Sequence, residues 1–460
     1  MTLEQRHWQD RLTVLAEKHD VVGTTLAIGF GDETAVAAAG VLNRRTEQPA
    51  TPDSLFQIGS ITKVWTATIA MQLVDEGRLD LDAPVVTYLP AFRIADDDTT
   101  QRVTTRHLLT HMSGIAGDFF PDTGRGDDCL ERFVALMVDL PASHPLGVTM
   151  SYCNAGFVLL GRLIEVLVDT TWDNAVRQRL LAPLGLEAAG TLPEEALLWG
   201  AATGHLTPPG TDGAMVAPQW SLSRNAGPAG LIHARARDLV AFARLHLADG
   251  VAPDGTRLLS AEAARAMREP QVAMPEQLTL GGSIGLSWIL SDWGGHRIFG
   301  HDGGTIGQSA YLRVLPGDAT RPDLTVALVT NGGQMKDLHL DLFGEVFDEL
   351  AGVTMPPRVE PPAVPPHVDP DRYVGHYWRE SMDIEVVARG EGLVLVNRPT
   401  GVLATAMGAS VVESPLLPYA DDVFLASLPT VSGYLGAVFY EIADGTRYLH
   451  FGGRAAAKID

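Results

Sequence analysis

Between Met355 and Pro370, seven of sixteen residues are proline. Each proline fixes its own φ and removes a backbone donor, so the stretch is excluded from helix and from central strand. It reads as a stiff linker over residues 355–370 that divides the chain of 460 residues into two unequal parts. Beyond it, residues 371–460 alternate short apolar runs with Gly, Asp and Pro turns: Ile384–Ala388, Leu393–Val396, Val423–Ala426, Ala437–Ile442 and Tyr448–Phe451. Short, regularly spaced runs of this kind predict a small antiparallel barrel. A barrel of that size is expected to be packed and to cover something, rather than to enclose a ligand.

Residues 1–354 read differently. An amphipathic helix is expected over 3–20, with Leu3, Trp8, Leu12 and Leu15 near helical spacing. Two apolar runs, Thr24–Gly31 and Glu33–Gly40, form a hairpin pattern. Helical patterns fill the middle, at 129–138, 155–168 and 235–248. Strand patterns return at Gly281–Ile289, His296–Phe299 and Leu324–Asn331, before a last helix at 337–351. Strands near both ends around a helical middle predict an α+β fold, in which N- and C-terminal strands share one antiparallel sheet.

Charge and cysteine content narrow the setting. The 34 basic and 56 acidic residues leave a net charge of −22, which argues against nucleic acid or an anionic membrane as partner. Two cysteines, Cys129 and Cys153, make no disulfide framework. The first residues lack the apolar core of a signal peptide and no apolar run is long enough to span a membrane, so the expected location is cytoplasmic. No metal or nucleotide motif is present. His107 and His111 have a ligand-like spacing but no third ligand nearby, and they read as structural.

The chemistry starts at Ser60-Ile-Thr-Lys63, at the head of an apolar helix that runs to Gly77. Three residues apart, the hydroxyl and the amine share one helical face. A buried lysine favours its neutral amine, and a neutral amine beside a serine is an activated-nucleophile arrangement. Spacing alone also allows an N-capping serine with a solvated lysine. Two further segments weigh against that: Tyr152-Cys-Asn154 ahead of a helix, and His301-Asp-Gly303 ahead of a strand. Cys153, between two candidates, reads as a buried structural thiol, and Asp302 as a turn residue. Residues 116–128, rich in Gly and Asp around Phe119 and Phe120, read as a mobile loop at the rim of a site.

In this order and spacing, the three segments resemble those of the penicillin-binding-protein-type serine hydrolases, over residues 8 to 350. Arg106–Gly114, the turn at Gly230 and Gly285-Leu-Ser-Trp288 are also similar to that family. The resemblance implies an acyl-enzyme at Ser60, Lys63 or Tyr152 as general base, and an oxyanion hole from the Ser60 and Gly304 backbone N–H groups. It implies a depressed pKa for Tyr152 beside Lys63. Asn154 is expected to orient Lys63 and bond the substrate amide. His301 replaces the lysine of a Lys-Thr-Gly motif and is expected to be a pH-dependent anchor for a substrate carboxylate, which turns the reading away from β-lactam hydrolysis. Gly303 is expected to let the substrate backbone approach, and Gly230 to line its path.

Within that family, the C-terminal barrel is similar to the lipocalin-like domain of D-aminopeptidase-like enzymes and of stand-alone thioesterases that cyclise nonribosomal peptides. The length, the start and the His301-Asp-Gly-Gly304 motif resemble the thioesterases most. This implies a peptide acyl substrate presented as a thioester by a carrier-protein domain, no cofactor, and macrolactam formation. Arg454 and Arg447 are the barrel's candidates for peptide contact. Hydrolysis, as by a D-stereospecific aminopeptidase or a carboxylesterase, uses the same residues and stays open, as does a catalytically dead binding module.

Overall fold

Two fully buried strands, Gly23–Phe30 and Leu324–Thr330, lie side by side at the centre of a nine-stranded antiparallel sheet. Their near-continuous apolar sequences suit a position covered on both faces. The computed structural model describes residues 3–207, 213–390, 392–401, 404, 411–428 and 432–460. The register Thr24↔Thr330 to Phe30↔Leu324 joins the two ends of the first part of the chain. Glu33–Asn43 follows on one side as the expected hairpin, and Ser309–Leu315, His296–Gly304 and Ile289–Trp293 follow on the other.

The helices Gln5–Lys18 and Met335–Ala351 cover one face through Trp8, Leu12 and Leu15 and through Leu342, Phe343, Val346 and Phe347. The helical middle covers the other face. Its hub is the helix Thr62–Asp75, in which twelve of fourteen side chains are buried. A helix apolar all round belongs in a core. Trp65 stacks on Phe242 at 4.0 Å, and the buried hydroxyls of Thr66 and Thr68 are satisfied by the carbonyls of Pro228 and Val64.

One strand extends further than its sequence indicates. The pattern ends at Phe299, yet the strand runs His296–Gly304, so His301, Asp302 and Gly303 lie within it. The Gly-rich run has weak strand propensity, and pairing with Ser309–Leu315 overrides it. Asp302 is therefore not a turn residue; both its oxygens accept from Arg313.

Among the described residues, 353–368 contain no helix or strand. Arg358 in this stretch pairs with Asp337 and Asp341 on the preceding helix. Eight strands then form a closed up-and-down antiparallel barrel from Gly375–Arg379 to Arg454–Lys458, shut by Tyr377↔Lys458 and Trp378↔Ala457. Its interior is filled by Tyr373, Tyr377, Phe424, Phe439 and Leu449, so it is a packed barrel as expected. Val412–Ala420 escapes the sequence pattern because Pro415 and Pro418 interrupt it. No described helix is long and apolar enough to cross a membrane.

Candidate active site

Ser60 sits in a tight turn, Gly59–Ile61, that feeds the Thr62–Asp75 helix. The His301 strand crosses close behind it. A Cβ on Gly303 would lie 1.9 Å from the Ile58 carbonyl oxygen, and one on Gly59, whose φ is +52°, would lie 2.5 Å from the Gly304 nitrogen. Only glycine permits this crossing. The space on the Cβ side of Gly303 is thus taken by the Ser60 turn, and Gly303 itself also lines the cavity. Gly304 has nothing within 4 Å of its Cβ direction and faces the cavity, as does Gly230.

Lys63 is fully buried. Its Nζ stands 3.2 Å from Ser60 Oγ and donates to the Ala229 carbonyl at 2.7 Å. Burial, and then the charge of Arg454, hold it well below the ordinary lysine range. No hydrogen bond joins it to Asn154 among the described residues. Asn154 instead donates from Nδ2 to Asp118 at 3.2 Å, so the expected Asn154–Lys63 contact is corrected to an Asn154–Asp118 one.

Tyr152 is held from two sides. On one, its ring stacks on His111 at 4.3 Å. Ser151 N donates to the His111 carbonyl at 3.0 Å, and Cys153 N donates to His111 Nδ1 at 3.0 Å. On the other, Tyr152 N donates to the carbonyl of barrel residue Gly453 at 2.8 Å, and the Arg454 guanidinium lies 5.0 Å from the ring centroid. Burial pushes the Tyr152 phenol above its ordinary range, against the downward pulls of the Ser60 hydroxyl and Arg454. The expectation of a depressed pKa fails because burial, which penalises the phenolate, outweighs those pulls. Cys153 caps the Asn154–Val168 helix through Sγ, which accepts from Gly156 N at 3.2 Å; burial raises the thiol to about 11, in keeping with a structural role.

His301 is 2 % exposed. Its Nδ1 stands 2.6 Å from the Asp302 carbonyl, which can only accept, so Nδ1 carries the proton. Nε2 is left as a buried acceptor with no partner among the described residues. Burial, and then Lys63, bring the imidazole down to about 4, so it is neutral at pH 7. With Nδ1 protonated and Nε2 a lone pair, the neutral imidazole offers a carboxylate no donor from Nε2 at pH 7; only its protonated form would.

The barrel contributes Arg454 but not Arg447. Arg447 donates to the Arg372 carbonyl and lies near Glu441, away from the cavity. Two residues missed in the sequence complete the site. Asp118 is buried in the loop read as mobile, where Phe119 also packs on Phe133. Arg379, from the first barrel strand, donates to Asp118 at 2.5 Å. The signal for Asp118 was faint: one acid in a Gly/Asp-rich run. His107 caps the Thr105–Leu109 helix, consistent with its structural reading.

These groups surround a cavity of about 450 Å³ lined by Ser60, Tyr152, Asn154, His301, Gly304 and Arg454, with Phe120, Met150 and Leu280 as apolar wall. A second cavity of about 410 Å³ adjoins it across Phe120, Asn154 and Leu222. A serine hydroxyl beside a buried amine, with acceptors and a guanidinium around it, supplies the groups that acyl transfer requires.

The chain belongs to the Beta-lactamase family, whose model matches residues 7–347. It is thereby a member of a serine hydrolase family. Among its relatives is penicillin-binding protein 4 of Amycolatopsis lactamdurans, 48% identical over 383 residues that cover 83% of this chain and 99% of that protein. The crystal structure of SurE is similar over 99% of both chains, with a TM-score of 0.77 and 28% identity; SurE has also been solved with D-Leu. A third, unguisins hydrolase ungD' of Aspergillus campestris, is 24% identical over 79% of this chain and 73% of that protein.

Proposed function

We propose that this chain off-loads a peptide thioester through an acyl-enzyme at Ser60 and closes it head to tail into a macrolactam. Lys63 Nζ takes the Ser60 proton as Oγ attacks the thioester carbonyl. The Ser60 and Gly304 N–H groups hold the oxyanion. The C–S bond breaks, and the lysine proton leaves on the thiol. The substrate's own α-amine then attacks the ester, one N–H donating to His301 Nε2. The amine's proton returns to Ser60 Oγ through Tyr152 and Lys63, and the lactam departs.

The observation that carries this reading is the unpartnered His301 Nε2, which offers a lone pair where a lysine would offer a cation. It suits an incoming amine and not a substrate carboxylate. The barrel turn Gly452–Gly453, set against Tyr152, covers the site and limits water. End-to-end similarity to SurE, with D-Leu as its bound molecule, favours a D-residue or glycine at the acyl position. A carrier-protein domain is the natural source of the thioester.

Hydrolysis is the second reading, favoured by the likeness to unguisins hydrolase. Mass spectrometry of the products from L-, D- and Gly-terminated peptide N-acetylcysteamine thioesters separates the two. Cyclic product from the D- or Gly-terminated substrates, absent with Ser60→Ala, is the expected result. Linear acid alone would overturn cyclisation in favour of hydrolysis.

A further inference from the structure

Asp118 lies outside the three motif segments, yet its carboxylate joins one of them, through Asn154, to the barrel. Oδ1 accepts from Asn154 Nδ2 at 3.2 Å and from Arg454 Nη2 at 3.1 Å. Oδ2 accepts from Arg379 Nη1 at 2.5 Å and from Arg454 Nε at 3.2 Å. Its backbone carbonyl accepts from barrel Ser381 Oγ at 2.8 Å. The side chain is 6% exposed, so these groups are its whole environment.

We propose that Asp118 is a positioning residue for acyl transfer: it fixes Asn154 and Arg454 together, and so makes the barrel part of the machinery that forms the acyl-enzyme.

The charge count supports this. Two guanidinium groups meet one carboxylate, and among the described residues neither arginine has a second acidic partner. The cluster is left with one surplus positive charge, and Arg454 carries it to the face of Tyr152. Burial disfavours charge on the Lys63 amine, whereas the Arg454 guanidinium lines the cavity and stays charged. Negative charge that develops on Ser60 Oγ and on the carbonyl oxygen therefore meets a preorganised positive charge. Asp118 stays ionised, since Arg454 and Arg379 outweigh the burial that opposes it. An interdomain ion pair that served docking alone would have no need to share an oxygen with Asn154.

The proposal rests on acylation of Ser60 and not on the fate of the acyl group, so it is tested with a small substrate. Single-turnover acylation by a short p-nitrophenyl ester, which carries no peptide, is followed in four full-length variants. Asp118→Asn keeps an acceptor for Asn154 but leaves the Arg379 and Arg454 guanidinium groups side by side with no anion between them, so their repulsion drives Arg454 from its place over Tyr152. It is expected to slow saturated acylation about 100-fold with the ester's KM changed less than threefold. Asp118→Asn/Arg379→Gln restores the net charge of one and recovers about tenfold over the single variant. Tyr440→Phe, which removes a distant barrel bond to Thr149 Oγ1, leaves acylation unchanged. A folded Asp118→Asn protein that acylates within threefold of wild type overturns the proposal, as does a Tyr440→Phe loss of equal size. Should Asp118→Asn fail to fold, the double variant decides: a rate within threefold of wild type overturns the proposal, and one about tenfold below supports it. Ester acylation that persists in Ser60→Ala would instead break the reading of Ser60 as nucleophile.

Discussion

The Ser60 helix and the barrel turn reach the same tyrosine by opposite means. The helix is locked by apolar packing on all sides, with Lys63 fully buried inside it. The barrel arrives largely through polar contacts: Gly453 to Tyr152, Ala455 to Ser151, Tyr440 to Thr149, and Arg379, Arg454 and Ser381 to Asp118. Packed cores do not part without unfolding, whereas water can take over polar contacts when a polar interface opens. The difference sets the Ser60 turn in a rigid region, which the barrel meets across a polar boundary.

Breaking the rigid side has the largest effect. Lys63→Met removes the amine while filling its space, and acylation should fall about 10³-fold, read by stopped-flow ester turnover. The same variant tests the pH dependence. Lys63 serves as base when neutral, and its folded pKa is lowered. The acidic limb of acylation should therefore lie well below the ordinary lysine value and vanish in the variant.

Acid should expose the rigid side next. His233 and His301 are held down to about 4, and His246 and His339 to about 3, against an unfolded value of about 6.5. Between those values the unfolded chain binds protons that the folded chain refuses. Stability is thus full above about 6.5 and is lost progressively as pH falls toward 4. The urea midpoint at pH 5 should lie below that at pH 7.

The clamp on Tyr152 gives a smaller effect that separates its two parts. His111→Phe keeps a ring and loses the acceptor for Cys153 N–H; His111→Asn keeps an acceptor and loses the ring. Each should slow acylation about tenfold, the scale of one buried hydrogen bond or one stacked pair. On the barrel side, Tyr440→Phe should lower stability by about 1 kcal/mol or less in chemical denaturation.

Much of the site was legible because its chemistry sits in short local patterns. Ser60 and Lys63 share a turn, Tyr152 and Asn154 a segment, and His301 and Gly303 a strand; the fold gathers all three around one cavity. The sheet was legible in its apolar strands and the barrel in its turn spacing. Asp118 was not, because it meets Arg379 and Arg454 across 261 and 336 residues. No local pattern encodes such a partner. Protonation was also hidden. The identities of His301 and Tyr152 were plain, but burial, which sequence does not state, decides that both are neutral. Arg447 and Arg454 looked alike by position near the C-terminus; opposite ends of a β-hairpin separate them.

The pairing of Thr24 with Thr330 has a consequence for how the molecule is made. About 300 residues must leave the ribosome before the first central strand meets its partner. At about 5–20 residues per second, that is on the order of 15–60 s. Throughout that interval an eight-residue strand destined for complete burial has only its hairpin neighbour. Until then its apolar face lacks its central partner, and the barrel, which emerges later still, meets a site that has just come into being.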